Sequence, residues 1–105
     1  MNSQNKLDIT KNIKMIEILK GQILEGVSDL HNSFIQQDNS TSDKVEIFAD
    51  LIILIYILAR RIGVSPETLL VKINNKLKVG VLQDEDVFID DIKELLKYFN
   101  MNNRY

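Results

Sequence analysis

A run of nine apolar residues, Leu51 to Ala59, lies inside the stretch KVEIFADLIILIYILARRIGV and limits what the rest of the chain can be. A buried strand also suits such a run, but the surrounding pattern holds for about 18 residues, too long for an ordinary strand and normal for a helix. The ends agree. Arg60 and Arg61 suit the negative end of a helix, and Gly63 suits a left-handed cap beyond it. At the start, Asp43 can serve as N-cap, with Glu46 three residues on as its capping-box partner. The reading is a central helix over 44–62. A helix that is apolar all round needs partners on several sides.

Asp50 stands directly before the apolar run, with Ile47, Ile53 and Leu54 as its helical neighbours. A carboxylate facing a core costs several kcal/mol unless it is paired, hydrogen-bonded or metal-bound. Glu46 and Asp50 stand four apart and share a helix face, as do Glu25 and Asp29 in the first helix. If the two helices are antiparallel neighbours, these oxygen donors converge on one hard cation such as Mg²⁺ or Mn²⁺. The plainer alternatives are capping by Glu46, a basic partner for Asp50 and simple solvation of Asp29.

Length and charge narrow the class. A chain of 105 residues supports one modest core, read here as a domain over 9–99 between an N-terminal tail (1–8) and a C-terminal tail (100–105). A net charge of −2 and the absence of any basic run argue against nucleic acid as a partner. With no cysteine, thiolate chemistry and zinc–thiolate sites are excluded. The apolar run is about half the length of a membrane span, so no membrane partner is expected. The polar start MNSQNKLDIT does not read as a signal peptide, which leaves a cytoplasmic location as the expectation.

The remaining helices follow from spacing. From Ile9, apolar residues Ile13, Ile16, Ile23, Val27, Leu30 and Phe34 mark an amphipathic helix ending near 35–37. Gly21 and Gly26 inside it suit close helix packing or a bend. The polar connection QDNSTS then makes the first two helices antiparallel neighbours. Ser65, Pro66 and Glu67 form a strong helix start, with Ser65 as N-cap and Pro66 in the first helical position. That third helix buries Leu69, Leu70, Ile73 and Leu77, exposes Lys72, Asn75 and Lys76, and ends at Gly80. A fourth helix follows Asp84, Glu85 and Asp86 and packs through Val87, Phe88, Ile92, Leu95, Leu96 and Phe99. The fold class is all-α, with four helices. Glycine-rich phosphate loops, GxSxG and HExxH are absent, and the single histidine, His31, is read as a boundary residue of the first helix.

These residues carry a family resemblance. The segments LKGQILEGVSDL, YILARRIGV and KLKVGVL, with E-x-x-x-D before the apolar run and K-x-x-N after it, resemble the all-α nucleoside triphosphate pyrophosphohydrolases of the MazG-like superfamily. The similarity is greatest to short MazG-like proteins of low-GC Gram-positive bacteria and their phages, and runs from about Leu7 to Phe99. The resemblance implies a Mg²⁺-dependent conversion of a nucleoside triphosphate to the monophosphate and pyrophosphate, in a homodimer whose helices join into a larger bundle. It also implies four carboxylate ligands, at positions that fall here on Gln22, Glu25, Ile47 and Asp50. Two of the four are carboxylates in this chain, Gln22 offers a neutral oxygen, and Glu46 is displaced by one residue from the position that Ile47 fills. Lys72 and Asn75 match the residues that approach the nucleotide phosphates. The implied metal set is therefore Glu25, Asp50, Glu46 and Gln22, an incomplete one, and the alternative is an inactive helical module for self-association, partner binding or nucleotide sensing.

Overall fold

The apolar run forms the middle of the second of four helices. The structure is a computed structural model and describes residues 3–36, 41–83 and 87–102, with side chains from 8 to 100 within those ranges. The helices are α1 (Ser3–Ile35), α2 (Thr41–Arg61), α3 (Pro66–Leu82) and α4 (Ile89–Asn102), and no strand occurs among the described residues. They fall into two compact units, Met1–Val64 and Ser65–Tyr105, in which α1 packs on α2 and α3 on α4.

In the first unit the two helices form an antiparallel pair with a regular seam. On α1 the least exposed positions are 12, 15, 16, 19, 23, 26, 30 and 33; on α2 they include 44, 47, 51, 54, 58 and 61. Both rows step by threes and fours, the spacing of a helix–helix seam. Leu19 and Leu51 are buried at its centre. Gly26 allows close approach there, because a Cβ at that position would lie 2.8 Å from Leu51 Cδ2. Gly21 has open space around its missing side chain, so the packing role expected for both glycines belongs to Gly26. At one end of the seam Lys44 donates to the carbonyl of Ser33 (3.2 Å) and stands over the Phe34 ring, joining the end of α1 to the start of α2.

Several sequence expectations shift. α1 starts at Ser3, so residues 3–8 are helical where a loose tail is expected; no glycine or proline interrupts the chain before Gly21. α2 starts at Thr41, which puts Asp43 in its first turn, where it complements the helix dipole, and not at the N-cap. The rest of the polar connection, 37–40, and the acidic residues 84–86 lie outside the described residues. α4 continues to Asn102, past the expected tail boundary. The centre of α2 is also less covered than its composition suggests. Val45, Phe48, Ile52 and Ile55, continued by Ile62 just past the helix end, form a second row at the same spacing, and Ile52 and Ile55 are 56% and 48% exposed.

The end of α2 is closed as expected. Gly63 has φ +90°, Val64 N–H donates to Ala59 O (2.8 Å) and Gly63 N–H to Arg60 O (3.0 Å), the paired bonds of a left-handed helix cap. α3 begins at once: Ser65 Oγ accepts from Thr68 N–H (3.1 Å), with Pro66 in the first turn. Gly80 does not end α3. The helix continues to Leu82, and Gly80 makes room for α4, since a Cβ there would lie 3.2 Å from Ile92 Cδ1. Val87 and Phe88, expected to pack, are exposed in the turn before α4; Ile92, Leu96 and Phe99 are half-buried.

Candidate functional site

The flank of the α1–α2 seam carries a cleft of about 310 Å³, lined by Gln22, Glu25, Gly26 and Asp29 from α1 and Asp50, Ile53 and Leu54 from α2. Helical spacing accounts for the α1 side, because 22, 25 or 26, and 29 follow one another at threes and fours on one face. The antiparallel pairing then brings Asp50 opposite them, beside the contact of Gly26 with Leu51. Glu25 and Asp50, far apart in sequence, thus share one cleft with Gln22.

Asp50 is exposed, which corrects the expectation of a core-facing carboxylate: its apolar neighbours Ile53 and Leu54 form the wall of an open cleft. The cost of burying a charge therefore does not apply to it. No lysine, arginine or histidine lines the cleft, and no basic residue pairs with Glu25 or Asp50 among the described residues. Asp29 is exposed on the cleft rim. Glu46 is exposed one turn before Asp50 and does not contribute to the lining. Ile47 is half-buried in the row that faces α1. No three acidic or histidine side chains among the described residues stand close enough together to hold a metal ion by themselves.

The second unit has a groove of its own. Lys72, Asn75, Lys76, Val79, Gly80 and Gln83 of α3 and its C-terminal end line about 410 Å³ with Ile92 of α4. Lys72 and Asn75, singled out by the family resemblance, are among its lining residues. Lys72 and Lys76 are one turn apart, so the groove has a cationic end, while Val79 and Ile92 supply an apolar floor. His31 is exposed on α1 and lines none of these clefts.

A residue that the sequence reading passed over is Asn12. Its Nδ2 donates to the carbonyl of Arg61 (3.2 Å), and its Oδ1 accepts from Arg61 Nη1 (3.3 Å). The only signal in sequence is a polar residue inside the apolar row of α1, between Ile9 and Ile16.

No curated protein and no solved structure matches the chain. The described residues form four helices and no strand, consistent with a MazG-like helical domain. A sequence model of that family matches residues 9–99, nearly the whole chain, and by that match the chain belongs to the MazG-like family.

Proposed function

We propose that this MazG-like chain binds a nucleoside triphosphate together with Mg²⁺ and releases pyrophosphate, using a reduced carboxylate site. One observation supports the reading most: Glu25 and Asp50, from two helices, line one cleft with Gln22 and no basic residue. Asp50 is exposed and has no basic partner among the described residues, so its carboxylate is open to a ligand.

The donor set fits Mg²⁺ in one particular way. Two carboxylates and an amide oxygen are too few for an all-protein cage, but Mg²⁺ is commonly held by one or two carboxylates with substrate phosphates and water as the rest of its shell. Bound there, the metal would polarise the α-phosphate and orient a water for attack. Glu25 and Asp50 would hold it, Gln22 would add a neutral oxygen, and Asp29 and Glu46 would add negative potential from outside the ligand set. Lys72 and Asn75 serve the nucleotide phosphates in this reading. The protein acts in the cytoplasm.

The test is pyrophosphate release from a panel of ribo- and deoxyribonucleoside triphosphates, with and without Mg²⁺ or Mn²⁺. Metal-dependent release that Asp50→Ala abolishes supports the reading; no release from any nucleotide by folded protein rejects it.

A second reading has an observation of its own. The exposed row Val45, Phe48, Ile52 and Ile55 on α2, continued by Ile62 just past its end, has the spacing of a second helix–helix seam. It suits a homodimer in which α2 gains the partners that its composition calls for, whether or not the carboxylate cleft is catalytic. A folded dimer with no nucleotide chemistry would then be a self-associating helical module.

A further inference from the structure

The C-terminal end of α2 carries two arginines whose usual role is already filled. A helix leaves its last four carbonyls without helical partners, and basic side chains near that end commonly serve them. Here all four have other donors. Leu58 O and Ala59 O accept from Ile62 N–H (3.3 and 3.2 Å), and Ala59 O also accepts from Val64 N–H (2.8 Å). Arg60 O accepts from Gly63 N–H (3.0 Å), and Arg61 O from Asn12 Nδ2 (3.2 Å). The guanidinium groups are therefore not needed as caps.

They line a small cleft instead. Asn12, Arg60 and Arg61 line an open cleft of about 260 Å³ at this end of the first unit. Asn12 fixes the arrangement from both sides of its amide, holding the Arg61 backbone with its nitrogen and the Arg61 guanidinium with its oxygen. Arg60 is exposed, and no carboxylate pairs with either arginine among the described residues. Two arginines, one of them hydrogen-bonded to Asn12, thus line one cleft with no carboxylate partner among the described residues. Planar guanidinium forks match the oxygens of a phosphate group and bind it by charge-assisted hydrogen bonds.

We propose that Asn12, Arg60 and Arg61 form an oxyanion site for a phosphate group, separate from the carboxylate cleft. Arg60 is ten residues along α2 from Asp50, about 15 Å at the helical rise. Occupation of one site therefore does not require the other. Arg60 and Arg61 supply the charge, and Asn12 acts as the positioning residue for Arg61. The ligand class is a phosphate or pyrophosphate group, whether free or as the end of a larger molecule.

The experiment is a titration of the full chain with inorganic phosphate and with pyrophosphate, without divalent metal, in chloride as the competing anion. It is followed by NMR shifts of backbone amides and arginine side chains. The expected result is saturable binding with the largest shifts at 12, 60 and 61. Arg60→Gln should weaken it about tenfold or more, Arg60→Lys less, and Asp50→Ala should leave it unchanged. The two anions distinguish a single phosphate group from a diphosphate as the preferred ligand. Absence of saturable binding by both, or binding that Arg60→Gln does not change while its helical circular dichroism matches the parent, overturns the proposal. Because neither metal nor turnover is involved, failure of the hydrolase reading leaves this result standing, and the reverse holds as well.

Discussion

Gly26 and Gly21 show how far a residue type alone informs. Both stand inside α1, and sequence gives no ground for separating them. The α2 side chain opposite Gly26 does, since a Cβ there would lie 2.8 Å from Leu51 Cδ2, and nothing stands within 4 Å at Gly21. Gly21→Ala should stabilise the protein by about 1 kcal/mol through helix propensity alone. Gly26→Ala should destabilise it by about 1–3 kcal/mol, because crowding at the buried Leu51 outweighs that gain. Urea unfolding of the two variants beside the parent measures both. Ile47 is informative in another way. It occupies the ligand position that the family resemblance assigns to a carboxylate, and it is half-buried in the row facing α1. Ile47→Glu should strengthen Mn²⁺ binding measurably by calorimetry, while a carboxylate in that row costs about 1–3 kcal/mol of stability. Unchanged metal affinity in a folded Ile47→Glu would place the ligand set elsewhere.

The helix ends were legible to different degrees, for physical reasons. The boundary between α2 and α3 was readable because Gly63 accepts a positive φ, Ser65 supplies a capping oxygen and Pro66 fixes φ for a first turn, and the cap bonds are present as expected. Ser65→Ala, which removes the acceptor for Thr68 N–H, should cost about 1 kcal/mol in thermal or urea unfolding. The starts of α1 and α2 and the end of α3 were not readable in the same way. Residues 3–8 contain no glycine or proline, Thr41 and Ser42 tolerate a helix, and Gly80 is kept for contact with Ile92 and not for a turn. Propensity separates a helix from a loop poorly when no residue restricts φ, and a glycine has two uses that look alike in sequence. The carboxylate cleft follows the same logic. The i, i+4 pairs marked Glu25, Asp29, Glu46 and Asp50, and antiparallel pairing brought all but Glu46 to one cleft; Glu46 stands one turn before Asp50, outside the lining. Asn12 escaped notice because its partner is the backbone of Arg61, 49 residues away.

At the scale of the whole molecule, the all-α class and the MazG-like family were legible because periodicity and motif extend over most of the chain. What periodicity could not give was the division of α2 into two apolar rows, one against α1 and one exposed. The exposed row predicts self-association. Light scattering after size-exclusion chromatography should give a dimer, and Ile52→Glu or Ile55→Glu should convert it to a monomer with its helix content retained; a parent that remains monomeric at high concentration would contradict the assignment. In the first unit, two carboxylates would hold a metal only with the substrate's help. The most direct measurement is Mn²⁺ binding followed by electron paramagnetic resonance, with and without a non-hydrolysable nucleoside triphosphate, in the parent, Glu25→Gln and Asp50→Ala. Weak binding of Mn²⁺ alone is expected, with protein-dependent binding of the Mn²⁺–nucleotide complex that both substitutions abolish. Absence of protein-bound Mn²⁺ under either condition, or binding that survives both substitutions, would contradict a metal site at Glu25 and Asp50.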